Sequence, residues 1–260
     1  MKYGFIGCGN MGSAIARSLS KTTTDIMLSD PFAANSLAKE LDCTVGTNTE
    51  VAENCNSIFL AVKPQVLESA ITPIASILSE KAPLLITMAA GVEIKKIEAM
   101  VGAPLPIIRI MPNTPVAVGS GTILYCCNEL VTQEMCDNFL ADMQHAGLLD
   151  SIPENLIDAA SALSGCGPAY VYMFIEALAD GAVACGVPRA KAMNYAANTL
   201  AGAAQMVLQT GTHPGALKDA VCSPGGSTIA GVKALEEHGF RGAVMDCIWD
   251  AYIRTKELGK

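Results

Sequence analysis

The stretch that decides the fold is KYGFIGCGNMGSAIARSLS, Lys2 to Ser20. Tyr3 to Ile6 read as a buried strand, a Gly-x-Gly-x-x-Gly turn follows, and from about Asn10 the apolar residues return at helical spacing. The three glycines have separate tasks. Gly7 permits the tight turn, Gly9 leaves the backbone open to a pyrophosphate, and Gly12 lets the helix pack close on the strand. The first N–H groups of that helix and its positive dipole end then favour the phosphates. A glycine triplet alone is equally a simple turn, and its place between one strand and one helix is what makes it a dinucleotide cradle.

Outward from this unit, strand and helix patterns alternate. Strands are expected at Asp25–Ser29, Cys43–Val45, Ser57–Val62, Leu84–Ala89 and Pro106–Ile110, with a helix at about Phe32–Leu41 and further amphipathic helices between the later strands. Such alternation predicts a parallel, doubly wound sheet with crossover helices. A strand at Gly121–Cys127, a helix over about Thr132–His145 and a short strand at Gly147–Ile152 complete this half, so the boundary is expected near Pro153. Residues 1–153 then form a dinucleotide-binding domain and 154–260 a helical domain.

Asp30 lies eighteen residues beyond Gly12, just past the second strand. There a carboxylate can accept hydrogen bonds from ribose hydroxyls, or Asp30-Pro31 can simply turn the chain. A phosphate on that ribose would meet a like charge, and no Arg or Lys stands between Ser29 and Ala38 to offset it, which favours NADH over NADPH. Two further strand ends open toward the same crevice. Ala61-Val62-Lys63-Pro64-Gln65 follows one, with Pro64 suited to a first helical turn, and Met88 to Val92 follows another. Lys63 alone is also an ordinary solvated lysine, and Ala89, Ala90 and Gly91 are either close-packed backbone or a nicotinamide contact. Arg109 to Pro115, RIMPNTP, is a rigid loop in which Asn113 can close a local turn, and by itself reads as a connector.

Composition narrows the function. About half of the 260 residues are apolar (51%), which excludes a disordered or collagen-like chain, and the formal net charge of -8 offers no footprint for nucleic acid or an anionic membrane. No uncharged run is suited to spanning a bilayer, so the ligand expected is a small molecule. The ten cysteines lack metal-ligand spacing, and Cys126 and Cys127 are adjacent, as suits a reduced, cytoplasmic setting.

Past Pro153 strand signals stop. Pro168–Val187 is apolar on nearly every face except a stripe through Glu176 and Asp180, and Asn194–Gly211 behaves similarly. About a hundred residues of such helix cannot cover themselves, and a second copy of the chain is the simplest cover. Met173, Met193 and Met206 read as core filler. Near the end, SPGGST (Ser223 to Thr228) runs into apolar helical spacing at Ile229, Val232 and Leu235. The first N–H groups of that helix can bind an anion, helped by the Ser223 and Thr228 hydroxyls, or the motif is only a turn with a Ser or Thr cap.

Five motifs in one order carry a resemblance: Gly7-Cys8-Gly9-Asn10-Met11-Gly12, Ala61 to Gln65, Arg109 to Pro115, Ser164-Gly165-Cys166-Gly167-Pro168-Ala169-Tyr170, and Ser223 to Thr228. Together they resemble pyrroline-5-carboxylate reductase over essentially the whole chain. The resemblance implies an α/β Rossmann N-terminal domain with a mainly parallel sheet, an all-α C-terminal dimerisation domain, and reduction of Δ1-pyrroline-5-carboxylate to L-proline by NAD(P)H. It places the substrate carboxylate at Ser223, Gly226, Ser227 and Thr228. It places the coenzyme at Ile6, Gly7, Cys8, Gly9, Asn10, Met11, Gly12, Asn48, Ala61, Val62, Lys63, Pro64, Met88, Ala89 and Ala90. Relatives are usually NADP enzymes and often form pentamers of dimers, whereas Asp30 stands where NADPH-using relatives often carry a small hydroxyl residue.

A protonated cyclic imine accepts hydride readily, so little side-chain chemistry is required, and the sequence shows no triad-like setting for His145, His213 or His238. Thr228 is expected to orient the ring through a hydrogen bond to its nitrogen or carboxylate. No metal is expected. A β-hydroxyacid dehydrogenase opens with a similar glycine turn, but it needs a lysine one helical turn after its serine-glycine motif, where Tyr170 and Val171 stand here. A dinucleotide-binding regulator without turnover is the reading from another class, and such a sensor has no use for the Ser223–Thr228 loop.

Overall fold

The computed structural model describes residues 3–258. Its first part runs β1 (Tyr3–Ile6), α1 (Asn10–Leu19), β2 (Ile26–Ser29), α2 (Ala34–Leu41), β3 (Thr44–Val45), α3 (Asn48–Asn54), β4 (Ser57–Leu60), α4 (Pro64–Ile71), α5 (Ala75–Lys81), β5 (Leu84–Thr87), α6 (Ile94–Val101), β6 (Ile107–Met111), β7 (Gly121–Cys127), α7 (Gln133–Asp142) and β8 (Gly147–Ser151). The eight strands form one sheet in the order β3-β2-β1-β4-β5-β6-β7-β8. Strand order reverses between β1 and β4, and open sheets of this kind take ligands beyond the strand carboxyl ends at that reversal.

Alternation along each strand builds a core on both faces. Phe5 and Phe59 enter one cluster, while Ile6, Ile58 and Leu60 enter the other. Phe5 stacks on Phe59 with ring centroids 4.5 Å apart, tying β1 to β4 at the point of reversal. Each such buried ring contributes about 1.5–3 kcal/mol.

The sheet is mainly parallel, as expected, with β6 and β7 the antiparallel pair. Only residues 112–120 join those two strands, too few for a helical crossover. The helix α3 is seven residues long, too short for periodicity to announce it. It is fixed instead by a capping box: Thr47 Oγ1 accepts the Glu50 N–H, and the Glu50 carboxylate accepts the Thr47 N–H.

After β8 the described residues are helical: α8 (Glu154–Ser164), α9 (Gly167–Ala184), α10 (Arg189–Thr210), α11 (Pro214–Ala220), α12 (Ser227–Glu237) and α13 (Phe240–Leu258). Pro153 is the N-cap of α8. One compact unit runs through Cys166 and takes in the chain from Ala251 onward, so α8 belongs with the sheet; the other spans Gly167–Asp250. Within the second unit α9 and α10 bury only a small alanine core, Ala179, Ala192 and Ala196. Met173, expected as core filler, is instead 70% exposed, and Met193 and Met206 are exposed as well. Within a single chain these methionines therefore lie on the outer faces of α9 and α10.

Candidate active site

Beyond the carboxyl ends of β1, β4 and β5 lies a cleft of about 480 Å3 lined by Gly9, Asn10, Met11, Ala61, Val62, Lys63, Pro64, Met88 and Ala90. Three separate sequence segments thus converge. Gly7 has φ +100°, and a Cβ there would come within 2.8 Å of the Ala61 carbonyl. At Gly12 a Cβ would stand 2.5 Å from the Gly7 carbonyl oxygen. Both positions require glycine for the fold itself. A Cβ at Gly9 would meet nothing within 4 Å, so its bare backbone opens on the cleft. Gly9 is the N-cap of α1, and no side chain caps that helix, nor is there an acidic residue in its first turn. Unobstructed backbone and N–H donors for which no side chain of the first turn competes fit a diphosphate.

The remaining expected coenzyme residues support the cleft from behind or lie to its side. Ile6 has its side chain in the core, and its carbonyl accepts the Ala61 N–H at 2.8 Å. Ala89 is buried. The Cys8 thiol is buried in the other cluster, and that burial, with the charge of Asp30 adding to it, pushes its pKa up to about 12. It therefore stays neutral at physiological pH and adds no negative charge to the glycine turn. Asn48 opens α3, where its Oδ1 accepts the Ser29 hydroxyl at 2.6 Å. Ser29, which fixes this amide, carries no sequence signal beyond ending a strand.

Of the two roles expected for Asp30, the structure shows the turn, and it adds a bond to the glycine loop. Its Oδ1 accepts the N–H groups of Phe32 (2.9 Å) and Ala33 (2.8 Å), which forms the turn, while Oδ2 accepts the Cys8 N–H at 2.8 Å and so reaches the glycine loop. Partial burial pushes this carboxyl up, but the three backbone donors outweigh it and its pKa is lowered.

Arg109 and Asn113 act over longer range than the sequence reading expects. Arg109 is only 1% exposed on β6; its Nη2 donates to Asp158 at 2.7 Å and its Nη1 to Glu154 at 3.3 Å. The Asn113 side chain closes no local turn. It accepts the Thr122 N–H and donates to the Ser164 carbonyl, both at 2.9 Å. RIMPN is thus a staple that fastens both ends of α8 to the sheet.

In the second unit, Gly225 (φ +68°) turns the chain into α12, and the Gly226 N–H donates to the Ser223 carbonyl at 3.0 Å. Gly226 is itself the N-cap, in extended conformation, and no side chain accepts from the first N–H groups of α12. The alternative of a plain Ser or Thr cap is therefore not what forms. A Cβ on Gly226 would stand 2.4 Å from Ser223 Oγ, so only glycine lets that hydroxyl sit at the mouth of the helix, near the exposed Ser227 and Thr228. Among the described residues no His, Cys, Asp or Glu cluster could hold a metal ion, and no helix is long and apolar enough to cross a membrane.

Comparison with known proteins bears on both units. A family model described as pyrroline-5-carboxylate reductase dimerisation matches residues 154–258, and one described as NADP oxidoreductase, coenzyme F420-dependent, matches residues 2–91. The pyrroline-5-carboxylate reductase of Escherichia coli is 41% identical, with 100% of this chain and 98% of that protein covered. That of Arabidopsis thaliana is 39% identical over 100% of this chain and 96% of the relative. The crystal structure of the Plasmodium falciparum pyrroline carboxylate reductase with NADP bound superposes with a TM-score of 0.92 at 35% identity, covering 100% of this chain and 98% of that one. With a nicotinamide-type oxidoreductase domain, a dimerisation domain and full-length relatives of one activity, this chain belongs to the pyrroline-5-carboxylate reductase family.

Proposed function

We propose that this chain, which reduces Δ1-pyrroline-5-carboxylate to L-proline as its family does, grips the substrate carboxylate on the first N–H groups of α12, with Ser223, Gly226, Ser227 and Thr228 around it. The observation that carries this reading is the glycine N-cap of α12, which leaves those donors without a side-chain acceptor. The nicotinamide coenzyme is assigned to the Gly7–Gly12 turn, Ala61–Pro64 and Met88–Ala90, with Ile6 and Asn48 supporting, a reading favoured by the convergence of these segments on one cleft. A division of labour at residue 153, a cytoplasmic location and assembly of dimers into a decamer belong to the same proposal. The apolar exposure of Met173, Tyr172 and Trp249 supports at least a dimer, in which a second copy covers these helices.

Held by the glycine turn and the Ala61–Pro64 and Met88–Ala90 segments, the nicotinamide coenzyme would supply a hydride; the imine carbon would accept it as the C=N electron pair moves onto nitrogen, and the ring nitrogen would keep the proton it already carries as iminium. What the protein must do is hold the reacting carbon at about 3–3.5 Å from the donor and at a productive angle. The amides of α12 fix the carboxylate, and the Thr228 hydroxyl orients the ring through its nitrogen or its carboxylate. No enzyme acid is needed. Activity therefore falls as pH rises above the imine's own pKa, and a permanently charged iminium analogue should be reduced without that fall.

For the coenzyme we infer NADH over NADPH. Asp30 presents a negative charge next to the glycine loop, and Lys21 is the only cation between Ser20 and Ala38 to offset a ribose phosphate. Steady-state assays with the five-membered imine acid, run in parallel with NADH and NADPH, should give turnover with both and a higher kcat/KM for NADH. Coenzyme binding without oxidation would favour a sensor; a higher kcat/KM for NADPH would remove the role given to Asp30.

A further inference from the structure

We propose that Phe32 is a binding residue for the coenzyme, stacking its ring on the adenine base. In the structure Phe32 is 92% exposed, the most exposed large apolar side chain among the described residues, although it lies in a tightly held turn. Its backbone N–H donates to Asp30 Oδ1, and the other oxygen of the same carboxylate holds the Cys8 N–H in the glycine loop. One carboxylate therefore sets the position of Phe32 relative to the expected diphosphate cradle. Pro31 stiffens the same turn by fixing its own φ.

Chemistry selects the occupant. An acidic residue just past the second strand faces the adenosine ribose in dinucleotide folds, and the adenine is bonded to that same ribose. With the ribose at Asp30, the base would fall within one sugar's width of that residue, in reach of the turn that carries Phe32. An adenine has a broad π-face and little need for specific hydrogen bonds, and an aromatic ring beside it provides attraction without sequence-specific contacts. No Arg or Lys occurs between Ser29 and Ala38 to stack there in its place or to pair with a phosphate. Asp30 and Phe32 thus form a pair: one discriminates against the phosphorylated ribose, and the other supplies adenine affinity.

The inference rests on the placing of the coenzyme at Gly9 and Asp30, and the test separates the two. Binding of ADP-ribose and of reduced nicotinamide mononucleotide to the full-length protein is measured by calorimetry for wild type, Phe32→Ala, Phe32→Tyr and Gly9→Val. Phe32→Ala should weaken ADP-ribose binding on the order of tenfold, the size of one base–aromatic stack, and leave the mononucleotide unaffected. Phe32→Tyr should bind as wild type does. A Phe32→Trp variant should show indole quenching on ADP-ribose addition that is absent in wild type under the same conditions. Unchanged ADP-ribose affinity in Phe32→Ala, with affinity lost in Gly9→Val, overturns the role of Phe32 alone. Unchanged affinity in Gly9→Val overturns the coenzyme placement beneath it. A Phe32→Ala protein that alters oligomer mass but not ADP-ribose affinity would make Phe32 a subunit contact instead, and would also overturn the proposal.

Discussion

The carboxylate of Asp30, just past β2, accepts the backbone N–H of Cys8 at 2.8 Å, so the residue expected to choose the coenzyme also braces the glycine turn that follows β1. A substitution made there to change the coenzyme should therefore also change stability. Asp30→Ser removes the charge proposed to repel a ribose phosphate, and also the acceptor for Cys8, Phe32 and Ala33. The ratio of kcat/KM with NADPH to that with NADH should rise on the order of tenfold, about 1.4 kcal/mol, while urea denaturation shows a loss of about 1–3 kcal/mol. An unchanged ratio would separate Asp30 from coenzyme choice.

The same carboxylate predicts an acid limb. Burial raises its pKa, the three backbone N–H groups outweigh that, and the folded value lies below the ordinary one of about 4. A group depressed in the folded state contributes its full stability above the unfolded pKa and loses it as pH falls through the folded value. Wild type should therefore exceed Asp30→Asn in stability at pH 7, and the two should converge below about pH 4. Urea melts from neutral to acid pH measure this; a gap that stays constant would mean that the hydrogen bonds do not depend on the charge.

The three glycines of the first turn should separate on mutation. Gly9→Ala places its Cβ in open space, so folding is kept while KM for the coenzyme rises at least on the order of tenfold. Gly12→Ala drives a Cβ against the Gly7 carbonyl oxygen, and Gly7→Ala combines a positive φ with a clash on Ala61. Both should lower the midpoint of thermal unfolding before any kinetic effect is read. Circular dichroism melts beside coenzyme titrations distinguish the classes, and a Gly9→Ala enzyme with normal coenzyme KM would contradict the cradle.

These glycines also mark what the sequence makes legible. A glycine needed for positive φ or close approach leaves a mark at its own position, so Gly7 and Gly12 are readable from spacing alone. The same holds for the Tyr3–Ile6 strand and for α1, whose boundaries follow from local pattern. Asn113 is different: both of its side-chain partners, at Thr122 and Ser164, are set by how the chain returns, and local turn chemistry cannot show them. Arg109 looks like any strand residue until Glu154 and Asp158 arrive beside it. The capping box at Thr47 and Glu50 was readable in principle, since Thr-x-x-Glu is a local signature, but the helix it starts is too short to support it with periodicity. The apolar circumference of α9 and α10 signals in sequence that a second copy must cover them, but not which side chains meet it, so Met173, Met193 and Met206 read as filler of the chain's own core.

At the mouth of α12, Gly226→Ala would bring a methyl group to 2.4 Å from Ser223 Oγ. That hydroxyl ends a short, rotatable side chain, so the fold should survive and the hydroxyl should turn away. KM for the imine acid should rise on the order of tenfold with coenzyme KM unchanged, the signature of a lost substrate contact. A rise in coenzyme KM of the same size would place the loop elsewhere in the reaction.

Thr228→Ala tests the orienting role directly. One hydrogen bond lost from a substrate that is already protonated should cost ten- to a hundredfold in kcat/KM, about 1.4–2.7 kcal/mol. Single-turnover kinetics on a variant with wild-type circular dichroism measures it. A fully inactive but folded enzyme would make Thr228 an obligatory acid and overturn the substrate-protonation scheme.

The buried staple on α8 gives a prediction about stability alone. Arg109 is enclosed on β6, and its two partners lie on α8, where Glu154 Oε1 also accepts the Ile94 N–H at 2.7 Å and so holds the start of α6. Asp158→Asn leaves a buried guanidinium with its weaker partner only, and the expected loss is about 3–5 kcal/mol in urea denaturation. Replacing both ends, Arg109→Met with Asp158→Leu, removes the uncompensated charge and should recover part of that loss. The cleft lining does not include either residue, so coenzyme affinity should change far less than stability does. If Asp158→Asn cost under about 1 kcal/mol, in the range of an exposed pair, the ion pair would not be what fastens α8 to the sheet, and the Asn113 bonds would have to carry that attachment alone.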